Sequence, residues 1–153
     1  TNGSNIKDLI TSANTKLGEE IFFGRGTCFA CHKVGDKGIA IGPDLQGINT
    51  RRDVDYVIKS IVEPNAYIVE GYQQTVLSMK DGSQLFGMIQ EETGLEIILY
   101  LPTGEKKTAL VKNIVKREDN PNSGMPSSFI HTLSAKDIAD VTAWIMALKA
   151  VGI

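Results

Sequence analysis

The chain has 153 residues, 42% of them hydrophobic, and a formal net charge of −2. That length suits one domain with a core of ordinary size, and so small an acidic excess gives no electrostatic footprint for nucleic acid or an anionic membrane surface. No stretch approaches the roughly 20 apolar residues of a membrane span, and with only two cysteines in the chain, both in one short motif, none remains for a disulfide framework.

Residues 1–13 are polar with a thin apolar stripe (Ile6, Leu9, Ile10, Ala13), which predicts a short leading helix or arm. The start, Thr1-Asn2-Gly3-Ser4, lacks a basic region followed by an apolar core and reads as a mature or trimmed end. Residues 14–23 form a helix with Asn14 as N-cap and an apolar side (Leu17, Ile21, Phe22) notched at Gly18. Gly24 and Gly26 stop it. Cys28-Phe29-Ala30-Cys31-His32 follows, and residues 33–50, with Gly35, Gly38, Gly42 and Gly47, are loop. A helix over 53–62 carries Val54, Val57, Ile58 and Ile61 on one face and ends before Pro64.

The character changes near Gly71. From there to about 118, β-favouring runs alternate with turns at Asp81-Gly82, Thr93-Gly94 and Thr103-Gly104, which is hairpin spacing. Strands are expected near 72–80, 84–91, 95–101 and 106–111, with a further short one at 114–118. Residues 119–130 return to loop around Gly124-Met125-Pro126. Ser134 then caps a last helix with Asp137 at its third position, and Ile138, Val141, Ile145 and Leu148 form its buried face beside Trp144.

Two cysteines separated by two residues and followed at once by histidine are the attachment signature of c-type haem. Two thioether bonds to the porphyrin vinyl groups need thiols about one helical turn apart, and the histidine is then carried beneath the iron as proximal ligand. A zinc site would need a fourth ligand, for which the chain offers only His131. A redox dithiol would be expected in a βαβ setting. Of the four methionines, Met79, Met88 and Met146 fall in predicted regular elements and suit core packing. Met125 sits in a Gly-Met-Pro loop and is the candidate for the second axial position, with His131 as the other possibility. Arg51 and Arg52 are candidates for a haem propionate, or else solvated residues at a helix start. Tyr67 and Tyr72 could flank the haem edge or pack in the core.

On these residues the chain resembles a class I (mitochondrial/bacterial) cytochrome c, over about 14–67 and 119–150. The resemblance implies a mainly α cytochrome c fold in which the first and last helices cross at Gly18, with Phe22 and Trp144 packed there. It also implies that the Pro43 carbonyl accepts a hydrogen bond from the proximal imidazole and that Leu45 packs on the haem. His32 and Met125 are 93 positions apart, longer than in small members of the family. The single domain, 1–153, therefore carries a small antiparallel sheet inserted at about 71–118. With Ile-Val-Glu-Pro-Asn before it, this arrangement is similar to haem-binding domains of Planctomycetes and Verrucomicrobia, several of them fused to or encoded beside sugar-type dehydrogenases.

The expected function follows: a monohaem c-type cytochrome, not an enzyme but an electron-transfer protein or the electron-transfer domain of a larger oxidoreductase, that moves single electrons between redox proteins such as a dehydrogenase or a terminal oxidase or reductase. One covalently attached haem c is held by Cys28, Cys31, His32 and Met125, with Phe29, Ile41, Leu45 and Trp144 as apolar neighbours. Haem c attachment in bacteria occurs outside the cytoplasm, so a periplasmic or otherwise exported location is expected. The competing readings are a haem sensor with a labile sixth ligand and a peroxidase-like enzyme with an open iron.

Overall fold

A computed structural model describes residues 3–149, and these fall into two compact units: one runs to Tyr67 and resumes at Met125, and the other is Ile68–Gly124. In the first unit the local signals set each helix. α1 (Gly3–Leu9) continues into a 3-10 turn, Ile10–Ser12, and buries Ile6 completely. α2 (Thr15–Phe23) begins where the Asn14 side chain accepts the Leu17 N–H. α3 (Val54–Val62) is capped in the same way by Asp53, which accepts the Tyr56 N–H. A one-turn α4 (Phe129–Thr132) precedes α5 (Ala135–Ala147). There Ser134 and Asp137 exchange side-chain and backbone hydrogen bonds, satisfying two donors that the first turn would otherwise leave orphaned.

The apolar faces of these helices meet in one cluster, with Ile6, Phe22, Ile58, Ile138 and Val141 all at most 2% exposed. α2 lies directly on α5 at Gly18. A Cβ built there would collide with the Asp140 carbonyl and stand 3.0 Å from the Trp144 Cβ. Close approach of two backbones is what a glycine in a helix face permits.

The second unit is a five-stranded antiparallel sheet of β1 (Gln74–Met79), β2 (Gln84–Glu92), β3 (Glu96–Tyr100), β4 (Lys106–Leu110) and β5 (Ile114–Asn120). Four strands form a meander and the fifth returns to the first, in the order β4-β3-β2-β1-β5. Gly82 and Gly104 adopt φ of +85° and +88° in the turns, a conformation open to glycine without a Cβ penalty. The pairs Leu77–Leu85, Ile89–Leu99 and Ile97–Ala109 stand opposite one another and build a small core of their own. The edge strands carry Lys106-Lys107 and Lys116-Arg117-Glu118, charges that discourage pairing with another chain.

The architecture departs from the expectation of a mainly helical chain. The described residues form five strands and five α-helices, two of which have only seven and four residues, so the fold is a helical part plus an antiparallel sheet. Two smaller expectations also change. Residues 119–130 are not all loop, because β5 continues to Asn120 and Phe129–Thr132 is helical. Leu148 is the C-cap of α5 instead of part of its buried face.

Candidate haem site

The Cys28–His32 segment is one turn of helix. The N–H groups of Cys31 and His32 both donate to the Cys28 carbonyl, at 3.2 and 2.9 Å, and this places both half-buried thiols on a single turn. The turn opens on Thr27, whose φ of +52° makes it the one non-glycine residue with positive φ among the described residues. Such a conformation carries strain that persists only where its surroundings fix it. Here the Thr27 N–H is held by the Gly24 carbonyl at 2.9 Å and the Thr27 carbonyl by the Ala30 N–H at 3.0 Å.

The thiols are not activated. Burial pushes the Cys28 thiol up to about 11 and also raises that of Cys31. A reactive redox pair would show the opposite displacement. Among the described residues, no group of three or more His, Cys, Asp or Glu is arranged to hold a metal ion.

The loop after the motif folds back along it. Ile39 N–H donates to the Phe29 carbonyl at 3.0 Å, Gly42 N–H to the Cys31 carbonyl at 2.6 Å, and Leu45 N–H to the Lys33 carbonyl at 3.2 Å. These bonds bring the Pro43 carbonyl to 2.7 Å from His32 Nδ1. A carbonyl oxygen can only accept, so Nδ1 carries the proton, and in the neutral ring Nε2 holds the free lone pair. Burial lowers the His32 pKa, against a smaller opposing pull from the Pro43 bond and Asp44, which favours the neutral ring that a metal requires. Gly42 lies beneath the imidazole. A Cβ there would be 2.7 Å from His32 Cε1 and 3.0 Å from Nδ1, so the ring's orientation depends on glycine at that position.

Cys28, Leu45 and Met125 pack against the same apolar cluster of the helical unit, together with Val34 and Trp144. Ile41 is buried, whereas Phe29 is 37% exposed. An aromatic group that the sequence reading reached only in part lies beside the motif. The Phe22 and Phe23 rings each contact Trp144, at 5.0 and 5.7 Å between centroids, and Phe23 also lies 6.3 Å from Phe29. The signal for Phe23 was its place next to Phe22 at the end of a helix that stops just short of the motif.

The remaining candidates are scattered. Arg51 donates to the carbonyls of Gln46 and Asp44, at 3.3 and 3.1 Å, and so ties down the loop that carries Pro43. Arg52 lies over the Tyr56 ring at 4.8 Å, and Tyr67, 59% exposed, meets the same ring edge-on at 6.2 Å. Tyr72 belongs to the sheet unit. His131 is exposed on α4. Met79 packs on the sheet core and Met146 on the helical one, while Met88 is buried in β2.

Two thiols on one turn, an imidazole held through Nδ1 with Nε2 left for a metal, and apolar side chains beside them are a donor set that fits haem c. No curated protein gave a significant match to the chain. The family model described as Cytochrome c matches residues 15–92, which takes in α2, the Cys28–His32 motif and the Gly42–Leu45 loop and ends in β2. The chain therefore belongs to the cytochrome c family, and its cofactor is haem c, attached covalently with Cys28 and Cys31 as the matching cysteine pair.

Proposed function

We propose that this haem c protein carries single electrons between redox proteins with His32 and Met125 as its two axial ligands. The observation behind the reading is the 2.7 Å contact between His32 Nδ1 and the Pro43 carbonyl. It fixes the tautomer, aims the ring, and makes the imidazole a stronger donor through Nε2. Bound haem iron supplies the chemistry by taking up and giving back one electron between its ferric and ferrous states.

The chain's own residues do the rest. Cys28 and Cys31 bind through their sulfurs, and Gly42 leaves room for the imidazole. Met125 offers a neutral, soft thioether from the loop held between Gly124 and Pro126, a donor that favours the ferrous state. Leu45, Ile41 and Trp144 exclude water, which disfavours the additional charge of the ferric state. With His32 and Met125 both holding the iron, no position would be left open to peroxide or dioxygen. Arg51 holds the Asp44–Gln46 backbone with part of its guanidinium, and its other N–H groups suit a propionate. Export to the periplasm or an equivalent compartment accords with covalent haem attachment. Partners would be redox proteins that dock through small, short-lived interfaces.

The test is the visible spectrum of the purified holoprotein, ferric and dithionite-reduced, with and without carbon monoxide. Sharp reduced bands, the weak far-red ferric band of an iron–thioether bond and indifference to carbon monoxide are the expected result. Prompt carbon monoxide binding to the reduced protein would overturn the ligation and bring forward a sensor or a peroxidase-like enzyme.

A further inference from the structure

Along one flank of α3 runs an open groove of about 490 Å³ whose lining includes Arg51, Arg52, Asp53, Tyr56, Lys59 and Tyr67. All of these residues belong to the helical unit. Arg51, Arg52 and Lys59 form no ion pair among the described residues, whereas Lys7, Arg25, Lys116, Arg117 and Lys136 each have a carboxylate within 2.9 Å. The carboxylate in the lining, Asp53, is turned to the start of α3, where it accepts the Tyr56 N–H at 2.9 Å. In a chain whose formal net charge is −2, three unpaired cations around one concavity make a local positive field.

These cations are also held in place. Arg51 is tied to the carbonyls of Asp44 and Gln46. Arg52 donates to the Arg51 carbonyl at 3.1 Å and lies over the Tyr56 ring at 4.8 Å. Contact with a ring face leaves the other guanidinium N–H groups to fork onto a carboxylate. A side chain fixed beforehand loses less freedom when a partner arrives. Tyr67 meets Tyr56 edge-on and is 59% exposed, so two aromatic rings stand beside the charges. Arginine and tyrosine are the residue types in which binding energy concentrates at protein interfaces. A small ligand is usually buried over roughly 70–90% of its surface, and a groove this open does not enclose one.

We infer that this groove is a docking surface for a redox partner that presents an acidic segment. Carboxylates of that segment meet Arg52 and Lys59, and its apolar parts pack on Tyr56 and Tyr67. The inference rests on the reading of the chain as an electron carrier. A protein that is acidic as a whole thus receives an acidic partner through one cationic face. Attraction between exposed charges steers and orients an encounter more than it tightens the complex, which suits a partner that must leave after one electron.

The test passes the full haem-loaded chain over immobilised hexaglutamate and reads binding by surface plasmon resonance. Binding is expected at about 0.01 M salt and should weaken at about 0.15 M, where the screening length falls from about 30 to about 8 Å. Arg52→Glu/Lys59→Glu is expected to weaken it roughly tenfold, and Tyr67→Ala should weaken it as well. The control, Lys107→Glu/Lys112→Glu, makes the same change of net charge at two exposed lysines of the sheet unit and should leave affinity unchanged. Electron exchange with a carboxylate-terminated film on gold, followed by voltammetry, should slow in the first double variant and not in the second.

No binding by the wild type, equal losses in the two double variants, or equal affinity for an oligothymidylate of the same charge would overturn the inference. If Arg52→Glu unfolds the chain through its Tyr56 contact, Lys59→Glu alone must weaken binding for the inference to stand. A shifted reduction potential in Arg52→Glu with unchanged hexaglutamate affinity would assign Arg52 to a haem propionate and overturn it too. The underlying reading is tested separately. Hexaglutamate binding at the groove without any reversible voltammetric wave sinks the electron-carrier reading and the redox partner with it. Electron exchange at the film that is equally fast in every variant sinks the docking surface alone.

Discussion

Replacing Gly18 by alanine sets two known effects against each other. Alanine in a helix interior is favoured over glycine by about 1 kcal/mol, so an exposed site would gain stability. At Gly18 the new methyl would run into the Asp140 backbone and crowd the Trp144 Cβ at 3.0 Å. Backbone cannot rotate aside, so α2 and α5 must part by on the order of 1 Å, the overlap a carbon–oxygen contact does not tolerate. Overfilling a packed interface costs about 1–3 kcal/mol. Parting also stretches the 2.8 Å bond from the Asn14 N–H to the Asp140 carboxylate, a side chain 1% exposed. A lost hydrogen bond to a charged group adds about 1.5–3 kcal/mol. After the propensity gain, a net loss of roughly 3 kcal/mol remains, which in a chain of this size lowers the unfolding midpoint by roughly 6–12 °C. Thermal and urea unfolding of the holoprotein measure it, with Gly94→Ala as control, because a Cβ at Gly94 meets nothing within 4 Å. A Gly18→Ala protein as stable as wild type would refute the claim that this glycine is required by the α2–α5 contact.

Three further outcomes are expected. Gly42→Ala forces the new methyl to within 2.7 Å of His32 Cε1, weakening the Pro43 bond and the donor strength of the imidazole. The reduction potential should rise by on the order of 30–60 mV, taking the bond as about 0.7–1.4 kcal/mol, and voltammetry showing an unchanged or lower potential would contradict this. Arg25 grips Asp137 with two bonds of 2.9 and 2.5 Å, the main cause that holds this carboxyl down to about 2 from its usual 3.8. Because the folded-state value is depressed, the contribution is complete above pH 4 and lost as pH falls from 4 towards 2. Asp137→Asn keeps a capping acceptor and should flatten that part of the stability–pH curve, as urea midpoints across the range would reveal. Finally, Thr142 is fully buried and its Oγ1 has no hydrogen-bond partner among the described residues. Thr142→Val keeps the shape and should stabilise by about 1 kcal/mol, whereas a destabilised variant would mean that the hydroxyl is hydrogen-bonded in solution.

The site was legible because its chemistry is local. Cys28, Cys31 and His32 sit on one turn, and the caps Asn14 and Ser134 act within three residues of themselves. The strands were legible from their glycine turns, but their order was not. β5 pairs with β1 and not with β4, a choice made by contacts distant in sequence that leave no trace in alternation. The balance of helix and strand was misjudged because a resemblance resting on the ligand motifs says little about the segment between them. Arg51 was legible as a cation but not as a tie across the Asp44–Gln46 carbonyls, since a side chain's partners depend on where a loop turns.

The register of the sheet has a consequence for how the chain assembles. Gln74 stands opposite Asn120, so the long segment between them begins and ends at one place. Before β1 and β5 pair, Met125 is tethered to Tyr67 by more than fifty disordered residues. Once they pair, the tether is effectively about ten residues long, and the entropy of bringing its ends together falls by roughly 1.5 kcal/mol. Zipping the sheet thus raises the local concentration of the returning methionine segment about tenfold. The sheet acts as a clasp that shortens the search by which the segment from Met125 onward finds the part of the chain that precedes Ile68.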